Sequence, residues 1–343
     1  MVAIAPPDTN RVKQIRNAGV VFHPVKISGS GTNPFVELGS VFKLCSAFKK
    51  HRVDVVFSYT PKGNIYSAIA AKLTGAVCVP NISGVGGSFA NKSFLGRLVS
   101  LLYKGTLGRA HQIFFQNMDD LNAFVSRGLA PAHKCVRLPG SGVELQRFKP
   151  IPANNPADNN VSFLLVARLL WNKGVGEFAD AARLVKQVYP TVTFKLLGFL
   201  DVDNPTAVPR EQVQAWVDEG LLQYLGSTDD VRPHLNESHC VVLPSYYGEG
   251  VPRTLLEAAA TMRPVITTDS PGCRDTVVDG VTGYICKPKS AEDLAEKMIR
   301  FIELPFAEQL QMGSQGRLRI EQEFDEKIVL NAYSNVLKEL EAR

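Results

Sequence analysis

The sequence has few cysteines, and none stands in the close pairs that bind zinc or build disulfide frameworks. Six cysteines are spread over 343 residues, none forms a C-x-x-C motif, and most lie inside apolar runs. This distribution is typical of buried, reduced thiols in a cytoplasmic protein. The sequence therefore argues against a zinc site and against a disulfide-stabilised secreted domain.

Long apolar runs are missing as well. The most apolar segments are far shorter than the ~18 residues that a membrane-spanning helix needs. The N-terminal stretch MVAIAPPDTN passes directly from a strand-like run into prolines, so we expect no signal peptide. No G-x-G-x-x-G follows a strand and opens a helix, which argues against a dinucleotide-dependent dehydrogenase.

Acidic residues are scarce in the first part of the chain. Residues 1–150 carry 19 Lys and Arg against 6 Asp and Glu, a net charge of +13, whereas the remainder carries 19 against 27, a net charge of −8. The basic part indicates an anionic partner, which is nucleic acid, anionic lipid headgroups or a phosphate-bearing acceptor. Nucleic acid is the weakest candidate, because the basic half lacks interleaved aromatics and any known binding signature.

Short β-branched runs alternate with helical patterns along the whole chain. Six such runs occur before residue 150 and six after it. This alternation predicts an α/β fold of two parallel-sheet domains. We place the first domain at 1–150 and the second at 151–343, joined by the Pro- and Asn-rich linker KPIPANNPADNN at 149–160. Helix 325–340 is a candidate to cross back to the first domain.

The first candidate site is the stretch GEGVPRTLLE, residues 248–257, which follows the apolar run CVVLPS. Pro252 suits the first turn of a helix, where a missing N–H costs nothing. The backbone N–H groups of Val251, Arg253 and Thr254 would then be unpaired at the positive end of the helix dipole. This arrangement predicts a phosphate-binding site.

The same stretch surrounds that site with glycines and carboxylates. Gly248 and Gly250 would let a ligand approach the backbone closely. Glu257, a little over one turn into the helix, would reach a hydroxyl beside the phosphate, and Glu249 would lie on the other side. The alternative is that both glutamates are solvated carboxylates near the start of a helix.

A second segment, VARLLWNKGVGEF at 166–178, places Arg168 and Lys173 in the loop after another apolar run. Arginine is a forked donor for phosphate, and lysine is a point charge for it. A basic loop alone is more often solvated surface. Both loops, however, leave the carboxyl ends of strands in one α/β domain, where such folds bind ligands. Together they predict a diphosphate site.

The two motifs, A-R-L-x-x-x-K-G and E-G-x-P-x-x-x-x-E, resemble the donor-binding signature of retaining glycosyltransferases of family 4. The segments PGSGVELQRFKP (139–150) and PVITTDSPGCRDTVVDGVTGYICKP (264–288) resemble the domain junction and the closing unit of that family. The resemblance covers nearly the whole chain. It implies the GT-B fold, in which two Rossmann-like domains face each other across a cleft.

The resemblance also implies roles for the site residues. Arg168 and Lys173 would hold the diphosphate and neutralise the leaving UDP, Glu257 would bind the ribose, and Glu249 would bind the transferred sugar. The implied donor-binding set is Arg168, Lys173, Glu249, Gly250, Val251, Arg253, Thr254 and Glu257, with Glu249, Arg168 and Lys173 as its catalytic members. The family needs no metal cofactor, and Asp201 and Asp203, which mimic a D-x-D metal motif, are better explained as a solvated turn.

Three segments of the first half narrow the resemblance: KISGSGTNP (26–34), SYTPKGNIYSAIAAKLTG (58–75) and NISGVGGSF (81–89). They resemble the subgroup that elongates polyprenyl-diphosphate-linked saccharides, such as those on undecaprenyl diphosphate. The implied activity is transfer of a hexose or N-acetylhexosamine from a UDP-sugar to such an acceptor during surface polysaccharide or glycan biosynthesis. The enzyme would be cytoplasmic and peripheral on the inner face of the membrane, an anionic surface that suits the basic half.

The segment 91–111 has two interpretations. It is either an interfacial helix on the membrane or an ordinary helix that packs on its own sheet. Its apolar residues share one face, and basic residues surround them. The apolar set is Phe94, Leu95, Leu98, Leu101 and Leu102, and the basic set is Lys92, Arg97, Lys104 and Arg109.

The sequence departs from the family pattern in two places. Many members carry a sugar-contacting histidine in the loop that corresponds to NISGVGG, where this chain has glycines. We therefore expect structural or surface roles for its histidines, which are His23, His51, His111, His133, His234 and His239.

The family also has a strand, a glycine-bearing loop and a helix before the strand that VAIAPPD resembles, which starts here at residue 2. A late start, a trimmed form and a degenerate gene would each explain that difference.

These departures keep other functions open. One alternative is a catalytically degenerate GT-B protein that binds a nucleotide or a lipid. Another is a different GT-B enzyme, a nucleotide-sugar epimerase or a glycogen-type synthase. The basic first half is less suited to the glucan acceptor of such a synthase.

Overall fold

The computed structural model describes residues 1–7, 9–27, 34–84, 94–155 and 160–342. The chain divides into two compact units, residues 1–137 and 138–343. The division lies before the 150/151 boundary and the 149–160 linker that the sequence predicts. Residues 138–150 therefore belong with the second unit, as does the C-terminal helix.

The described part of the first unit holds its strands in two parallel sheets. Strands β1 and β2 pair with each other, and β3 to β6 form a sheet in sequential order. The strands are β1 Val2–Ala5, β2 Val21–Pro24, β3 Val55–Tyr59, β4 Val77–Ile82, β5 Ile113–Phe115 and β6 Cys135–Arg137. The helices are α1 Thr9–Asn17, α2 Pro34–His51, α3 Pro61–Thr74, α4 Phe94–Leu107 and α5 Met118–Ser126.

The core of the first unit forms between these sheets and their helices. From its second residue onward β4 is buried, as expected for a parallel strand covered on both faces. Helix α2 is fixed to α3 by Glu37, whose carboxylate accepts hydrogen bonds from Lys62 Nζ at 2.5 Å and Tyr66 Oη at 2.7 Å. Apolar residues of α2, including Leu44 and Phe48, pack in the same cluster as those of the four-stranded sheet.

The second unit has one six-stranded parallel sheet in the order β12-β11-β10-β7-β8-β9. Its strands are β7 Ser162–Val166, β8 Thr193–Leu197, β9 Gln223–Tyr224, β10 Cys240–Leu243, β11 Val265–Thr268 and β12 Gly283–Cys286. Its helices are α6 Val175–Val188, α7 Arg210–Asp218, α8 Arg232–Asn236, α9 Arg253–Ala260, α10 Ala291–Ile302, α11 Phe306–Glu323 and α12 Glu326–Glu341. This is the doubly wound order of a Rossmann-like sheet.

The direction of winding reverses between β7 and β10, which are adjacent in the sheet. In open parallel sheets, ligands bind beyond the carboxyl ends of the strands at such a reversal. The two predicted site segments are the loops that leave β7 and β10. The α/β prediction is confirmed, and each of the twelve predicted runs contains one strand.

The junction between the units is packed onto the second unit. Val143 N–H donates to the Phe324 carbonyl at 2.9 Å, next to the start of α12. Arg263 is fully buried, and its guanidinium donates to the carbonyls of Leu235, Asn236, Thr261 and Ile151, the last lying in the predicted linker. Burial lowers the pKa of Arg263 to about 10, so it remains charged near neutral pH.

None of the helices in the described ranges is both long enough and apolar enough to cross a membrane. All six cysteines are free thiols; Cys45 and Cys135 are half-buried and the others are buried.

We predict that Arg263→Leu lowers the unfolding free energy of the second unit by about 2–4 kcal/mol, because buried carbonyls lose their donors. Both tryptophans of the chain, Trp171 and Trp216, lie in this unit, so urea unfolding followed by tryptophan fluorescence reports on it. The control Arg210→Leu, at an exposed arginine, should change stability by less than about 0.5 kcal/mol. Equal effects of the two variants would contradict the role of Arg263.

Candidate functional site

The candidate site lies at the carboxyl ends of β7 and β10. The loop after β7 carries Arg168 and continues through a short 3-10 turn, Trp171–Lys173, to the start of α6. The loop after β10 carries Glu249 and leads to α9. Since the two strands are neighbours in the sheet, their loops meet, and the structure brings Lys173 and Glu249 into contact.

Lys173 Nζ and Glu249 Oε1 form an ion pair. The two side chains are only 13% and 14% exposed, so the pair is largely shielded from water. Removing one partner of a buried pair leaves an uncompensated charge, which costs about 3–5 kcal/mol. The pair therefore fixes the positions of both side chains relative to each other.

Ser245, at the start of the loop after β10, supports this pair. Its Oγ lies 3.0 Å from Glu249 Oε1 and 3.3 Å from the Asn172 carbonyl oxygen. The Tyr246 N–H donates to the same carbonyl at 3.2 Å, and Thr268 Oγ1 donates to the Ser245 carbonyl. These bonds join the loop after β7 to the loop after β10. The predicted site did not include Ser245 or Asn172, because neither belongs to a recognisable motif.

Asn172 offers one more polar atom at the site. Its side-chain Oδ1 is buried and has no hydrogen-bond partner among the described residues. An orphaned buried acceptor of this kind is costly, which is consistent with a place that a ligand or water fills.

Two glycines allow the loops to approach closely. Gly174 has φ of +77°, and a Cβ there would lie 2.2 Å from the Pro244 carbonyl oxygen. Gly272, at φ of +79°, would place a Cβ 1.5 Å from the Gly250 carbonyl oxygen and 2.9 Å from that of Glu249. No side chain fits at either position, so backbone packing sets the path of the Glu249 loop.

Helix α9 begins one residue later than predicted. Pro252 is the N-cap residue, with ψ of 118°, and makes no side-chain cap; its placement in the first helical turn was wrong because its backbone is still extended. The first two N–H groups of the helix, those of Arg253 and Thr254, have no acceptor within the helix. Val251 is buried at 6% exposure and packs in the core cluster of the unit. The predicted phosphate site remains compatible with this geometry.

Glu257 lies on the second turn of α9, with its side chain 15% exposed. Arg253 Nη2 lies 3.2 Å from its Oε1. Burial raises the pKa of Glu257, and the positive charges of Arg253 and Arg147 offset part of that rise. Arg147, in the junction segment, was not predicted as a site residue; only the fold brings it near Glu257.

The remaining groups considered from the sequence differ in burial and pairing. Burial raises the pKa of the Cys273 thiol to about 12, so it stays protonated and is not a nucleophile. Arg168 is exposed, and its side chain has no hydrogen bond or ion pair to any described residue. Asp201 and Asp203 are exposed in a bend, and Asp201 pairs with Arg210, as expected for a solvated turn. Among the described residues, no group of three or more His, Cys, Asp or Glu is arranged to hold a metal ion.

The structure describes part of the segment 91–111, which the sequence predicts as either an interfacial helix or an ordinary packed helix. In α4, Leu98 and Leu101 are exposed beside Arg97 and Lys104. Leu102 instead packs against the core, so the five apolar residues do not share a single solvent-facing surface. Lys92 and the side chains of Phe94 and Leu95 lie outside what the structure describes, as does most of the loop 81–89.

We predict that Gly272→Ala destabilises the second unit by more than about 2 kcal/mol, because a Cβ collides with backbone as well as straining φ. Gly280→Ala is the matched control, since Gly280 has φ of +74° but nothing within 4 Å of a Cβ; it should cost about 1 kcal/mol. The measurement is urea unfolding by tryptophan fluorescence. Similar losses in the two variants would show that the close approach of residue 272 does not matter.

Family models match both parts of the chain. The model for glycosyl transferases group 1 matches residues 147–319, and the model for glycosyl transferase 4-like domains matches residues 1–117. The first match covers both loops of the candidate site.

Curated relatives match over nearly the full length. A Campylobacter jejuni N,N'-diacetylbacillosaminyl-diphospho-undecaprenol alpha-1,3-N-acetylgalactosaminyltransferase is 29% identical over 360 residues, covering 98% of this chain and 92% of the relative. A capsular polysaccharide biosynthesis glycosyltransferase of Staphylococcus aureus, CapM, is 25% identical and covers 100% and 92%.

Solved structures have the same fold at low sequence identity. Anabaena HepE in complex with UDP-glucose superposes with a TM-score of 0.80 at 18% identity, covering 98% of this chain and 91% of that one. A glycosyltransferase of Rickettsia africae gives 0.77 at 19% identity, covering 98% and 89%. The fold is therefore GT-B. By its family matches, which include both loops at the β7–β10 reversal, the chain belongs to the glycosyl transferases group 1 family and is a glycosyltransferase.

Proposed function

We propose that this glycosyltransferase moves a hexose or N-acetylhexosamine from a UDP-sugar to a polyprenyl-diphosphate-linked saccharide, with retention of anomeric configuration. The observation that carries the proposal is the Lys173–Glu249 pair, held by Ser245 at the strand-order reversal, next to the N-terminus of α9. Cationic, anionic and N–H groups would thus face the sugar, the diphosphate and the ribose of a bound nucleotide-sugar.

The diphosphate would bind between the two loops. Lys173 supplies a fixed positive charge, and the exposed Arg168 supplies a forked donor. The N–H groups of Arg253 and Thr254, at the positive end of α9, add hydrogen-bond donors. Gly250 and Val251 precede this end and would lie along the sugar-phosphate.

The two glutamates would bind the two sugars of the donor. Glu257 would accept hydrogen bonds from the ribose hydroxyls, because it lies one turn into α9, away from the diphosphate. Glu249 would bind a hydroxyl of the transferred sugar while its Oε1 remains paired with Lys173. Lys173 would therefore link the sugar-binding carboxylate to the diphosphate.

The chemistry would depend on charge stabilisation. As the bond between the anomeric carbon and the diphosphate oxygen breaks, negative charge grows on that oxygen. The acceptor hydroxyl oxygen would bond to the anomeric carbon, and its proton would pass to the departing diphosphate. Lys173, held by Glu249, and the α9 N–H groups are already oriented, so they would stabilise this charge without reorganising. Arg168, which is exposed, would add its forked donor once the diphosphate is bound. We propose that these groups fill the role that a metal ion has in other transferases, so that no cofactor is needed.

The acceptor is proposed from the relatives and the charge distribution. The names of two relatives, from C. jejuni and Escherichia coli, specify diphospho-undecaprenol acceptors. The basic first part of this chain, with its net charge of +13 over residues 1–150, suits an acceptor that carries a diphosphate at an anionic membrane surface. We propose that the enzyme acts in the cytoplasm as a peripheral protein on the inner face of the membrane.

Transfer activity tests the catalytic set. Lys173→Ala should lower kcat/KM by about 10²–10³-fold, the range for removing one preorganised charge-stabilising group. Glu249→Ala should lower it by about 10–10²-fold, because the sugar hydroxyl loses a charged hydrogen-bond acceptor and Lys173 loses its partner. The assay measures labelled sugar passing from a panel of UDP-sugars into a lipid extract that contains polyprenyl-diphosphate saccharides. The control Glu219→Ala removes an exposed carboxylate that pairs with Arg183 in the same unit and should leave transfer unchanged. Full activity in Lys173→Ala would contradict the assignment, and UDP binding without transfer to any lipid would favour a degenerate binding protein.

Nucleotide binding tests Glu257 separately. Glu257→Gln should weaken UDP binding about tenfold, the loss of one charged hydrogen bond to a hydroxyl. The variant should bind 2′,3′-dideoxy-UDP as the wild type does, because that nucleotide lacks the hydroxyls. Calorimetry gives both affinities, and Glu296→Gln, at an exposed glutamate of α10, is the control. An equal loss for both nucleotides would show that Glu257 does not contact the ribose.

A further inference from the structure

A second basic site lies in the first unit, apart from the loops described above. A pocket of about 340 Å³ opens between the carboxyl end of β2 and the middle of α2. Its lining residues are His23, Pro24, Val25, Lys26, Lys43 and Ser46. Among the described residues no carboxylate lines it, so the described lining combines two ammonium groups, an imidazole and a hydroxyl.

The positive charge of this pocket is not compensated by any residue that the structure describes. Lys26 and Lys43 are exposed, and neither forms an ion pair with any residue that the structure describes. Glu37, the only acidic residue on the same helix, is engaged by Lys62 and Tyr66. Uncompensated like charges repel each other, and an anion would relieve that repulsion.

Two histidines extend the same basic cluster. His23 Nδ1 lies 3.1 Å from His51 Nε2, so the end of α2 is joined to β2. Burial, followed by the positive charges of His51 and Lys50, lowers the pKa of His23. The neighbourhood therefore disfavours additional positive charge. The sequence predicts structural or surface roles for His23 and His51, and His23 also lines the pocket.

An exposed apolar stripe on α2 leads to this pocket. Phe35, Leu38 and Phe42 are 86%, 55% and 63% exposed, and their spacing of three and four residues places them on one helix face. Ser46, four residues after Phe42, continues that face into the pocket. A ligand with an anionic head and an apolar chain matches both features.

We propose that this pocket binds the anionic head of a phosphate or diphosphate ester, with Lys26 and Lys43 as charge partners and Ser46 as hydroxyl donor. The exposed stripe on α2 would contact the apolar chain of that ester. That this ester is the lipid-linked acceptor rests on the proposed function. That the pocket binds phosphate rests on its lining residues alone. Lysine ammonium groups and a serine hydroxyl are suitable donors for phosphate oxygens.

The test is direct binding by the full chain, with UDP at saturation to occupy the second unit. The probes are inorganic pyrophosphate and farnesyl diphosphate, measured by calorimetry. The double variant Lys26→Ala/Lys43→Ala should lose at least about tenfold in affinity for both, because charge-assisted hydrogen bonds are among the strongest contacts to phosphate. Lys13→Ala/Lys72→Ala removes the same charge from exposed positions that do not line the pocket and should change affinity less than about twofold. Equal binding by the two double variants would overturn the site.

Farnesyl diphosphate, which carries an apolar chain, distinguishes a lipid diphosphate from free diphosphate as the ligand. Tighter binding of farnesyl diphosphate than of pyrophosphate, with the difference abolished by Phe42→Ser, supports a lipid diphosphate. Equal affinities for the two would overturn the role of the stripe. Binding only to phosphatidylcholine vesicles that contain phosphatidylglycerol, and to neither diphosphate, would overturn the pocket in favour of a general membrane attraction. None of these measurements uses sugar transfer, so failure of the pocket and failure of the proposed function are distinguishable.

Discussion

The contact between Lys173 and Glu249 is the interaction on which the candidate donor site depends. Their loops are far apart in sequence, and the paired side chains are largely shielded from water. That position exists because β7 and β10 are neighbours at the reversal of the sheet order. Ser245, the Asn172 carbonyl and the two tightly packed glycines then hold the loops at a fixed spacing. Without the sheet order, the same residues would be two unrelated charged loops.

The two units differ in whether the charged side chains of their candidate sites are already paired. In the second unit, most site charges are already paired: Lys173 with Glu249, and Arg253 with Glu257. A ligand there exchanges or extends existing pairs, which favours orientation and specificity over simple attraction. In the first unit, the lysines around the β2–α2 pocket have no acidic partner among the described residues. A ligand there would supply the missing negative charge, as expected of a site that attracts an anionic substrate.

Much of the fold could be predicted from the sequence, since alternating apolar runs and amphipathic stretches identify strands and helices directly. The start of α9 shows how far such prediction reaches: the helix is found, but its first residue is not. Pro252 illustrates the reason, since its ring fixes φ and leaves ψ to the surrounding packing. The predicted domain boundary lay within a Pro- and Asn-rich segment. Arg263 nevertheless binds the Ile151 carbonyl of that segment to the second unit.

The sequence by itself determined the α/β class and the division into a basic first part and an acidic second part. It also determined the motif residues, because each of these features depends on local residue type and spacing. Those residues are Arg168, Lys173, Glu249 and Glu257. Only the tertiary structure decided which of these side chains touch, that Ser245 and Asn172 join the loops, and that His23, Lys26 and Lys43 converge on one pocket. Such contacts depend on which strands become neighbours and on how closely backbones approach. Those are properties of the packed sheet and are absent from any local stretch of the chain.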